Sequence, residues 1–408
     1  MPPSLNKLRK RFTVIITNSL SSLLPQFFNT LISIIVIRFT HIDLWGEFIN
    51  LLILINLGAH IAAWGNRDYL LREFSFKPSH IIPTWQQCLM TRLWLLGSFS
   101  LIIALLGYPP TQTLLLIAWA WVTVLKQSHE VMVVYHKDFL WQLGLELAQA
   151  LFIAFGLLWL GANINLNNLM GLFILGNLGQ GILFSWYYAT VNRTLNWRQG
   201  FVWGYFPAAA PFFLLNFSGL LQSRLDLYCV AYFLSKRDLG QYQILINLLL
   251  YLQALANFIL VPYVKTLYRL PNDLIFKISG RLFILGFVIL GPALAVVYAM
   301  LIWLYHLPIP LSHVLLGGLF VWPLYGYTTI IYGLYKINRQ TLVVKISLVG
   351  ALVNLILNLA LLPYLGWVGS LLASTIVQWL MLGLYVWQLT QTPHPDPLLR
   401  RKGSKISP

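Results

Sequence analysis

Three ionisable side chains lie inside apolar runs of the sequence, where a charge needs a partner. Arg224 and Asp226 fall in one run, with Gln222 one helical turn before Asp226, and Glu146 falls in another. An ionised group in hydrocarbon is costly unless it faces a wet cavity or a counter-charge. A guanidinium there can bind an anion in bidentate fashion, and a carboxyl can bind hydroxyls or exchange a coupling proton. These residues predict a transport pathway.

Each of these residues also has a structural interpretation. Arg224 lies about ten residues from the external end of its run, roughly 15 Å deep, so it is near the midplane. A structural pair with Asp226 is the alternative, although positions i and i+2 of a regular helix point about 200° apart. Pro211 and Gly219 can distort this run. For Glu146 the alternative is an ion pair with a basic loop residue, and both interpretations stay open.

The elements that carry these side chains are membrane-spanning helices. Charged residues make up 9% of the 408 residues and hydrophobic residues 58%, whereas a soluble domain has roughly 25% charged residues. Apolar runs of about 20 residues recur about twelve times, and they lack the alternation of a membrane β-barrel. The predicted fold class is an all-α polytopic membrane protein. The predicted spans are 12–37, 43–65, 91–107, 112–134, 140–160, 167–190, 205–234, 240–263, 280–304, 311–334, 342–363 and 367–390.

The basic residues mark one side of the membrane. The net charge is +16, and most of the 27 lysines and arginines fall in the two termini and in every second loop. This is the positive-inside pattern, so both termini are predicted to be cytoplasmic. No basic stripe remains for a nucleic acid. The two cysteines, Cys88 and Cys229, form no metal-binding spacing, so neither a metal nor a cofactor is expected.

A short repeat divides the chain into halves. Asp43–Phe48 reads DLWGEF after the first span, and Asp238–Tyr242 reads DLGQY after the seventh. Both turns are external, so the halves share one orientation, and parallel repeats of this kind place a substrate site between them. This predicts an N-terminal six-helix lobe at 1–198, a C-terminal six-helix lobe at 199–390 and a basic cytoplasmic tail at 391–408.

The repeat relates a second polar cluster to Arg224. Aligning the turns sets Thr30 of the first span against Arg224. Amides suit sugar hydroxyls because each offers donors and acceptors, whereas the alternative is interhelical hydrogen bonding at about 0.6–2 kcal/mol each. Arg38 and Glu47 flank the external mouth and are a candidate gate pair. The cluster in the first span consists of Gln26, Asn29 and Thr30.

Three segments together carry a family resemblance. Gln222–Pro262 combines a polar span, the external DLGQY turn and a long apolar helix; Asn354–Thr375 contains NLILN, LPYLGWVG and AST; and Leu44–Phe48 is the first turn. They resemble oligosaccharide flippases of the multidrug/oligosaccharidyl-lipid/polysaccharide exporter superfamily. The resemblance implies two lobes around a central cavity, in a bacterial inner membrane. It also implies translocation of undecaprenyl-pyrophosphate-linked oligosaccharides to the outer leaflet by alternating access.

Under this resemblance the polar residues acquire expected roles. Arg224 is expected to meet the pyrophosphate. Gln222 and the polar residues of the first span are expected to bind sugars, and Asp226 is expected to bind sugar or the coupling ion, with Glu146 as a second coupling candidate. The implied partners are the lipid-linked oligosaccharide and the bilayer, with a monomer that contacts other polysaccharide-assembly proteins.

Other functions fit the sequence less well. A related branch of the same superfamily flips the peptidoglycan precursor, but it typically has fourteen helices and cationic residues in its first two, which this sequence largely lacks. A multidrug exporter of the same superfamily has cationic substrates, which a midplane Arg224 does not favour. A polysaccharide polymerase or ligase needs a large charged external loop, and the loops here are short. The sequence contains no ATP-binding loop and no hydrolase motif, so a transporter is expected and not an enzyme.

Overall fold

The computed structural model describes residues 24, 27–188, 203–260, 263, 267, 268, 270–337 and 339–391, apart from the side chains of Leu215, Gln222 and Phe258. The described part of the chain contains helices and no strand. Nine helices within it are long and apolar enough to cross a bilayer, as judged from length and composition. The prediction of an all-α polytopic membrane protein is confirmed.

Fourteen α-helices lie in the described ranges, and we number them in chain order. They are α1 Phe27–Phe39, α2 Ile42–Ala63, α3 Asn66–Phe76, α4 Ile81–Leu105, α5 Pro110–Ser128, α6 Glu130–His136, α7 Phe139–Leu160, α8 Leu166–Tyr187, α9 Tyr205–Phe233, α10 Lys236–Leu260, α11 Asn272–Ala299, α12 Leu311–Lys336, α13 Gln340–Leu365 and α14 Trp367–Thr390.

The helix bounds differ from the predicted spans in several places; α11, for example, begins at Asn272, eight residues before the predicted ninth span. The third span was predicted from position 91, but α4 begins at Ile81, because a helix continues through polar residues that the hydropathy criterion excludes. The fourth predicted span consists of α5 and α6, which are separated at His129. Elsewhere Pro211 lies inside α9 without ending that 29-residue helix.

The chain forms two compact units. Unit 1 comprises Met1–Leu220 and Leu234–Ile244, and unit 2 comprises Leu221–Phe233 and Leu245–Pro408. Helices α9 and α10 therefore each contribute their first part to unit 1 and their second part to unit 2. The predicted lobes, which divide the chain at position 198, stay a prediction.

Aromatic rings hold the centre of unit 1 together. Phe48 of α2 stacks on Trp119 of α5 with ring centroids 5.3 Å apart, and it lies 4.7 Å from the ring of Phe173 of α8. All three side chains are buried. Such ring pairs contribute about 0.5–1.5 kcal/mol beyond their area burial, so they fix the positions of three helices that also carry polar side chains.

The two copies of the repeated turn pack against each other in unit 1. A Cβ atom added at Gly46 would overlap the carbonyl oxygen of Lys236, and one added at Gly240 would lie 2.9 Å from the carbonyl oxygen of Ile42. Trp45 Nε1 donates a hydrogen bond to Gln243 Oε1 at 2.8 Å across the same contact. Glycine is therefore required in each copy because backbone approaches backbone.

Replacement of Gly46 by alanine tests this contact. We expect Gly46→Ala to lower the free energy of unfolding by about 1–3 kcal/mol, since the added methyl group must displace the backbone of Lys236. Gly171→Ala is the matched control, because nothing lies within 4 Å of its added Cβ. Alanine favours a helix interior by about 1 kcal/mol, so the control should keep or gain stability. Thermal unfolding of the purified proteins checks both, and equal melting temperatures would contradict the contact.

Candidate ion and substrate sites

The most extensive polar network of unit 2 is built on the hairpin of α13 and α14. Gly366 joins these helices with a φ of 59°, a left-handed conformation that glycine adopts without strain. A Cβ atom added at Gly369 would lie 2.7 Å from the carbonyl oxygen of Leu361. The small side chain lets the two helices approach closely, as is usual for helix packing in membranes.

Two polar pairs bridge this hairpin. Ser370 Oγ donates to Asn358 Oδ1 at 2.6 Å, and Asn354 Nδ2 donates to Ser374 Oγ at 3.1 Å. Asn358 Nδ2 in turn donates to Asn354 Oδ1 at 2.7 Å. All four residues are buried. The two residues of each helix are four positions apart, so they lie on one face and the network forms a single layer between the helices.

Asp226 of α9 joins this network with a carboxylate. Its side chain is only 7% exposed. Ser374 Oγ lies 3.5 Å from Asp226 Oδ2, and Ser370 Oγ lies 3.5 Å from the Asp226 carbonyl oxygen. One carboxylate thus shares a buried site with amide and hydroxyl oxygens. Oxygen ligands of these kinds suit hard cations.

Arg224 lies one half-turn before Asp226 and is half-buried. Its Nη1 atom donates to Asn247 Oδ1 of α10 over a long distance of 3.5 Å. A guanidinium has five N–H donors, so a single long bond to a neutral amide leaves it able to bind an anion. Tyr228, one turn further along α9, is close enough to interact with its charge. The guanidinium contact that the structure describes is therefore with an amide.

The polar residues predicted in the first span belong to unit 1. Thr30 of α1 is buried and its carbonyl oxygen accepts a hydrogen bond from Ser33 Oγ at 2.7 Å, and Asn29 is half-buried. Gln26 lies outside the described residues, and so does the side chain of Gln222. Because Thr30 and Arg224 lie in different units, a cavity shared by the two clusters stays a prediction.

Glu146 and Glu47 each lie near a lysine of unit 1. Gln142 Nε2 donates to Glu146 Oε1 at 2.8 Å, and the charge of Lys126 acts on Glu146. Glu47 is exposed, and its charge interacts with that of Lys236 at the contact between the repeated turns. Arg38 is exposed at the end of α1. A gate pair of Arg38 with Glu47 stays a prediction.

The network contains residues that the sequence analysis did not select. A signal for them exists: Asn358 and Ser370 are equally distant in sequence from Tyr364, and so are Asn354 and Ser374. Residues at similar distances from the turn at Gly366 lie at the same level of the two antiparallel helices, so they can contact each other. Two polar pairs with this symmetry, spaced by four residues on each helix, identify the layer from sequence. No comparable pattern in the sequence identifies Lys126 as an interior residue.

Comparisons with solved structures identify the fold. The chain resembles the inward closed conformation of the lipid II flippase MurJ with a TM-score of 0.59 and 14% identity, covering 93% of this chain and 88% of that one. It resembles an inward-facing multidrug resistance MATE family transporter of the MOP superfamily with a TM-score of 0.60 and 10% identity, covering 96% of this chain and 100% of that one. At these identities the likeness shows a shared fold. No protein-family profile and no curated protein matches the sequence.

Sodium should stabilise the protein through the Asp226 site. A ligand that binds only the folded state at 100 times its Kd adds about 2.7 kcal/mol, so replacing choline by sodium should raise the melting temperature of the purified protein. Asp226→Asn should abolish this rise, while Asp273→Asn, which changes an exposed carboxylate of α11, should retain it. An equal sodium response in the Asp226→Asn protein would exclude the site.

Proposed function

We propose that this protein is a flippase that moves undecaprenyl-pyrophosphate-linked oligosaccharides from the cytoplasmic to the outer leaflet of a bacterial inner membrane. Transport proceeds by alternating access, it serves the synthesis of a cell-surface polysaccharide, and both termini are cytoplasmic. The observation that carries the proposal is Arg224, a half-buried guanidinium within an apolar helix, whose contact in the described structure is a long bond to an amide. The shared fold with a lipid II flippase supports it.

Arg224 suits the anionic group of such a substrate. It lies about ten residues from the end of α9, which is roughly 15 Å along the helix. A guanidinium at that depth is stabilised by an anion that approaches it, and its planar donors match two phosphate oxygens at once. In this proposal Arg224 holds the pyrophosphate while the sugars contact amide and hydroxyl groups such as those of Gln222, Gln26, Asn29 and Thr30.

Asp226 supplies the coupling in this proposal. It lies two residues from Arg224 on the same helix, and its carboxylate belongs to the buried network of α13 and α14. A cation at Asp226 offsets the charge of the carboxylate and so changes the position that α9 prefers relative to the hairpin. Because Arg224 moves with α9, cation binding and substrate binding are linked, and the linkage is reciprocal. The energy then comes from an ion gradient.

The repeated turns form the closed external side in this proposal. Gly46 and Gly240 let α2 and α10 meet backbone to backbone, and the bond from Trp45 to Gln243 spans that contact. An exit to the outer leaflet requires the contact to separate. Few side chains must be rearranged in that step because glycine contacts interlock little, which suits a surface that opens and closes in each cycle.

A multidrug exporter is the second candidate, and the fold shared with a MATE family transporter favours it. The Asp226 network would couple drug export to an ion gradient equally well. The difference lies in Arg224, because a guanidinium in the pathway repels the cationic compounds that such exporters carry. The charge of the substrate therefore separates the two candidates.

Removal of the guanidinium should block flipping without unfolding the protein. We expect Arg224→Ala to slow translocation by about 10–100-fold, since a hydrogen bond to a charged group contributes about 1.5–3 kcal/mol. Arg224→Lys should restore part of the rate, because the charge returns without the bidentate geometry. Arg281→Ala, which changes an exposed arginine of α11, is the control. Normal transport by a well-inserted Arg224→Ala protein would remove this role.

Cells with and without the gene identify the substrate. We expect loss of the gene to cause accumulation of completed carrier-linked oligosaccharide on the cytoplasmic leaflet, because the carrier can no longer deliver it, and restoration of the gene should relieve it. Mass spectrometry of the carrier lipids measures this and identifies the sugar. Unchanged carrier pools together with altered sensitivity to cationic compounds would favour drug export.

A further inference from the structure

Three polar side chains meet at one level of α5, α7 and α8 in unit 1. Lys126 Nζ donates to Gln149 Oε1 at 3.2 Å and to Asn177 Oδ1 at 3.4 Å, and Gln149 Nε2 donates to Asn177 Oδ1 at 2.9 Å. Each residue lies about ten positions, or roughly 15 Å, from the end of its helix predicted to face the cytoplasm. For Lys126 this end is His136 of α6, because His129 keeps a right-handed helical backbone. An ammonium group is therefore held by two neutral oxygens at about half the depth of a bilayer.

A second polar layer lies one turn closer to the same helix ends. Each of its members is three or four residues from a member of the first layer on the same helix, so it lies on the same face. Gln142 is one further turn along α7 and donates to Glu146 Oε1 at 2.8 Å. Polar side chains thus continue from the first layer toward the predicted cytoplasmic end. The second layer consists of Glu130, Glu146 and Gln180.

The second layer contains buried polar atoms without partners. Among the described residues, three atoms lack a hydrogen-bond partner: Nε2 and Oε1 of Gln180, and Oε2 of Glu146. Gln180 is only 3% exposed. A buried carboxylate oxygen without a donor is costly, and protonation lowers that cost because the neutral acid requires less solvation. Glu146 is therefore placed where binding of a proton is favoured.

A permanent ion pair between Lys126 and Glu146 does not fit this geometry. In such a pair the ammonium would direct its N–H groups at the carboxylate, because only direct hydrogen bonds offset the desolvation of both charges. The described bonds of Lys126 go to the amide oxygens of Gln149 and Asn177, and Glu146 interacts with Lys126 through its charge. The carboxyl can then gain or lose a proton without breaking a bond to the lysine.

Few other ionisable groups face this site. Arg92 of α4 is fully buried and donates to Ser128 Oγ at 2.8 Å, and the half-buried Glu130 acts on Lys126 and on Glu146. The one ionisable side chain of helix α8 is Tyr187, whose ring stacks on Trp141. His129 and His136 stack against the ring of Tyr188, and His60 of α2 faces phenylalanine rings. The remaining ionisable residues of α2 lie at the opposite end and are Asp43 and Glu47.

We infer that Lys126 and Glu146 form a proton-binding site inside unit 1, loaded from the predicted cytoplasmic end and separate from the Asp226 site of unit 2. The Glu146 carboxylate takes a proton from a hydronium ion and becomes a carboxylic acid, which leaves water, and release reverses the step. Lys126 stays an ammonium group throughout. Loading therefore changes the combined charge of the pair from zero to one positive charge.

Infrared difference spectroscopy tests this site directly. The full-length protein in lipid vesicles is titrated with acid, and the C=O stretch of a protonated carboxyl reports the loading of Glu146. Glu146→Gln should remove one such band. Lys126→Met should move the midpoint of that band to higher pH by about one unit or more, a tenfold change in proton affinity, because the ionised carboxylate loses its counter-charge. Glu146→Asp should retain a carboxyl band at a changed position.

Matched variants separate this result from the proposed transport. Asp226→Asn should leave the Glu146 band unchanged. The spectra report proton binding and not flipping, so a negative result would not affect the proposed substrate. A Glu146→Gln spectrum equal to that of the wild type, in a protein that elutes and melts normally, would overturn the inference. So would an unchanged midpoint in Lys126→Met. If Glu146→Gln does not fold, Glu146→Asp takes its place in the test. A carboxyl band and a midpoint in Glu146→Asp equal to those of the wild type would then overturn the inference.

Discussion

Hydrocarbon offers no hydrogen bonds, and this one constraint determines most of what the structure contains. Every backbone amide must be satisfied within the chain, so long helices make up the described part of the molecule. The same constraint applies to side chains, and a polar group inside a span must find another polar group or lie in water. Polar residues therefore gather in networks, and each network identifies a place where the chain departs from a purely apolar interior.

Small residues make those networks possible because they let helices approach closely. The hydrophobic effect does not drive helices together in lipid. Apolar side chains are as stable against lipid as against each other, so close packing and hydrogen bonds must hold the helices. In unit 2, Gly369 lets α13 and α14 approach until the serine hydroxyls reach the asparagine amides. In unit 1, Gly46 and Gly240 let two turns meet along their backbones. Helix packing and the polar networks thus depend on the same small residues.

The fold could be predicted from the sequence because its signal is additive. Hydropathy summed over about 20 residues outweighs any single exception, so α9 was identified in spite of Pro211. Helix α4 begins before the predicted span because helical backbone continues through the polar residues before position 91, and hydropathy reports burial in lipid but not backbone hydrogen bonding. The repeat predicted that the two turns correspond, but the contact of Gly46 with the backbone of Lys236 is a tertiary fact that no periodicity reveals.

Single polar residues were harder to interpret than helices, because their meaning depends on the neighbouring helix. Asp226 was selected from its depth, yet the four amide and hydroxyl side chains of the same network were seen only as part of a motif. Lys126 shows the limit more clearly. Its position near the end of an apolar run indicates a membrane flank, but α6 extends the helix beyond it by about two turns. Whether a lysine lies at the surface or in the interior thus depends on where the helix ends, which hydropathy does not determine.

The two buried carboxylates differ in the charges around them. Asp226 lies against the neutral oxygens of the α13–α14 hairpin, so a bound cation offsets the charge of its carboxylate. Glu146 lies within the influence of both Lys126 and Glu130, so a bound proton shifts the balance of these three charges toward the ammonium. Loading either site therefore makes its layer more positive by one charge. A transporter of an anionic lipid can use such a change, since positive charge within the protein favours the substrate and its loss favours release.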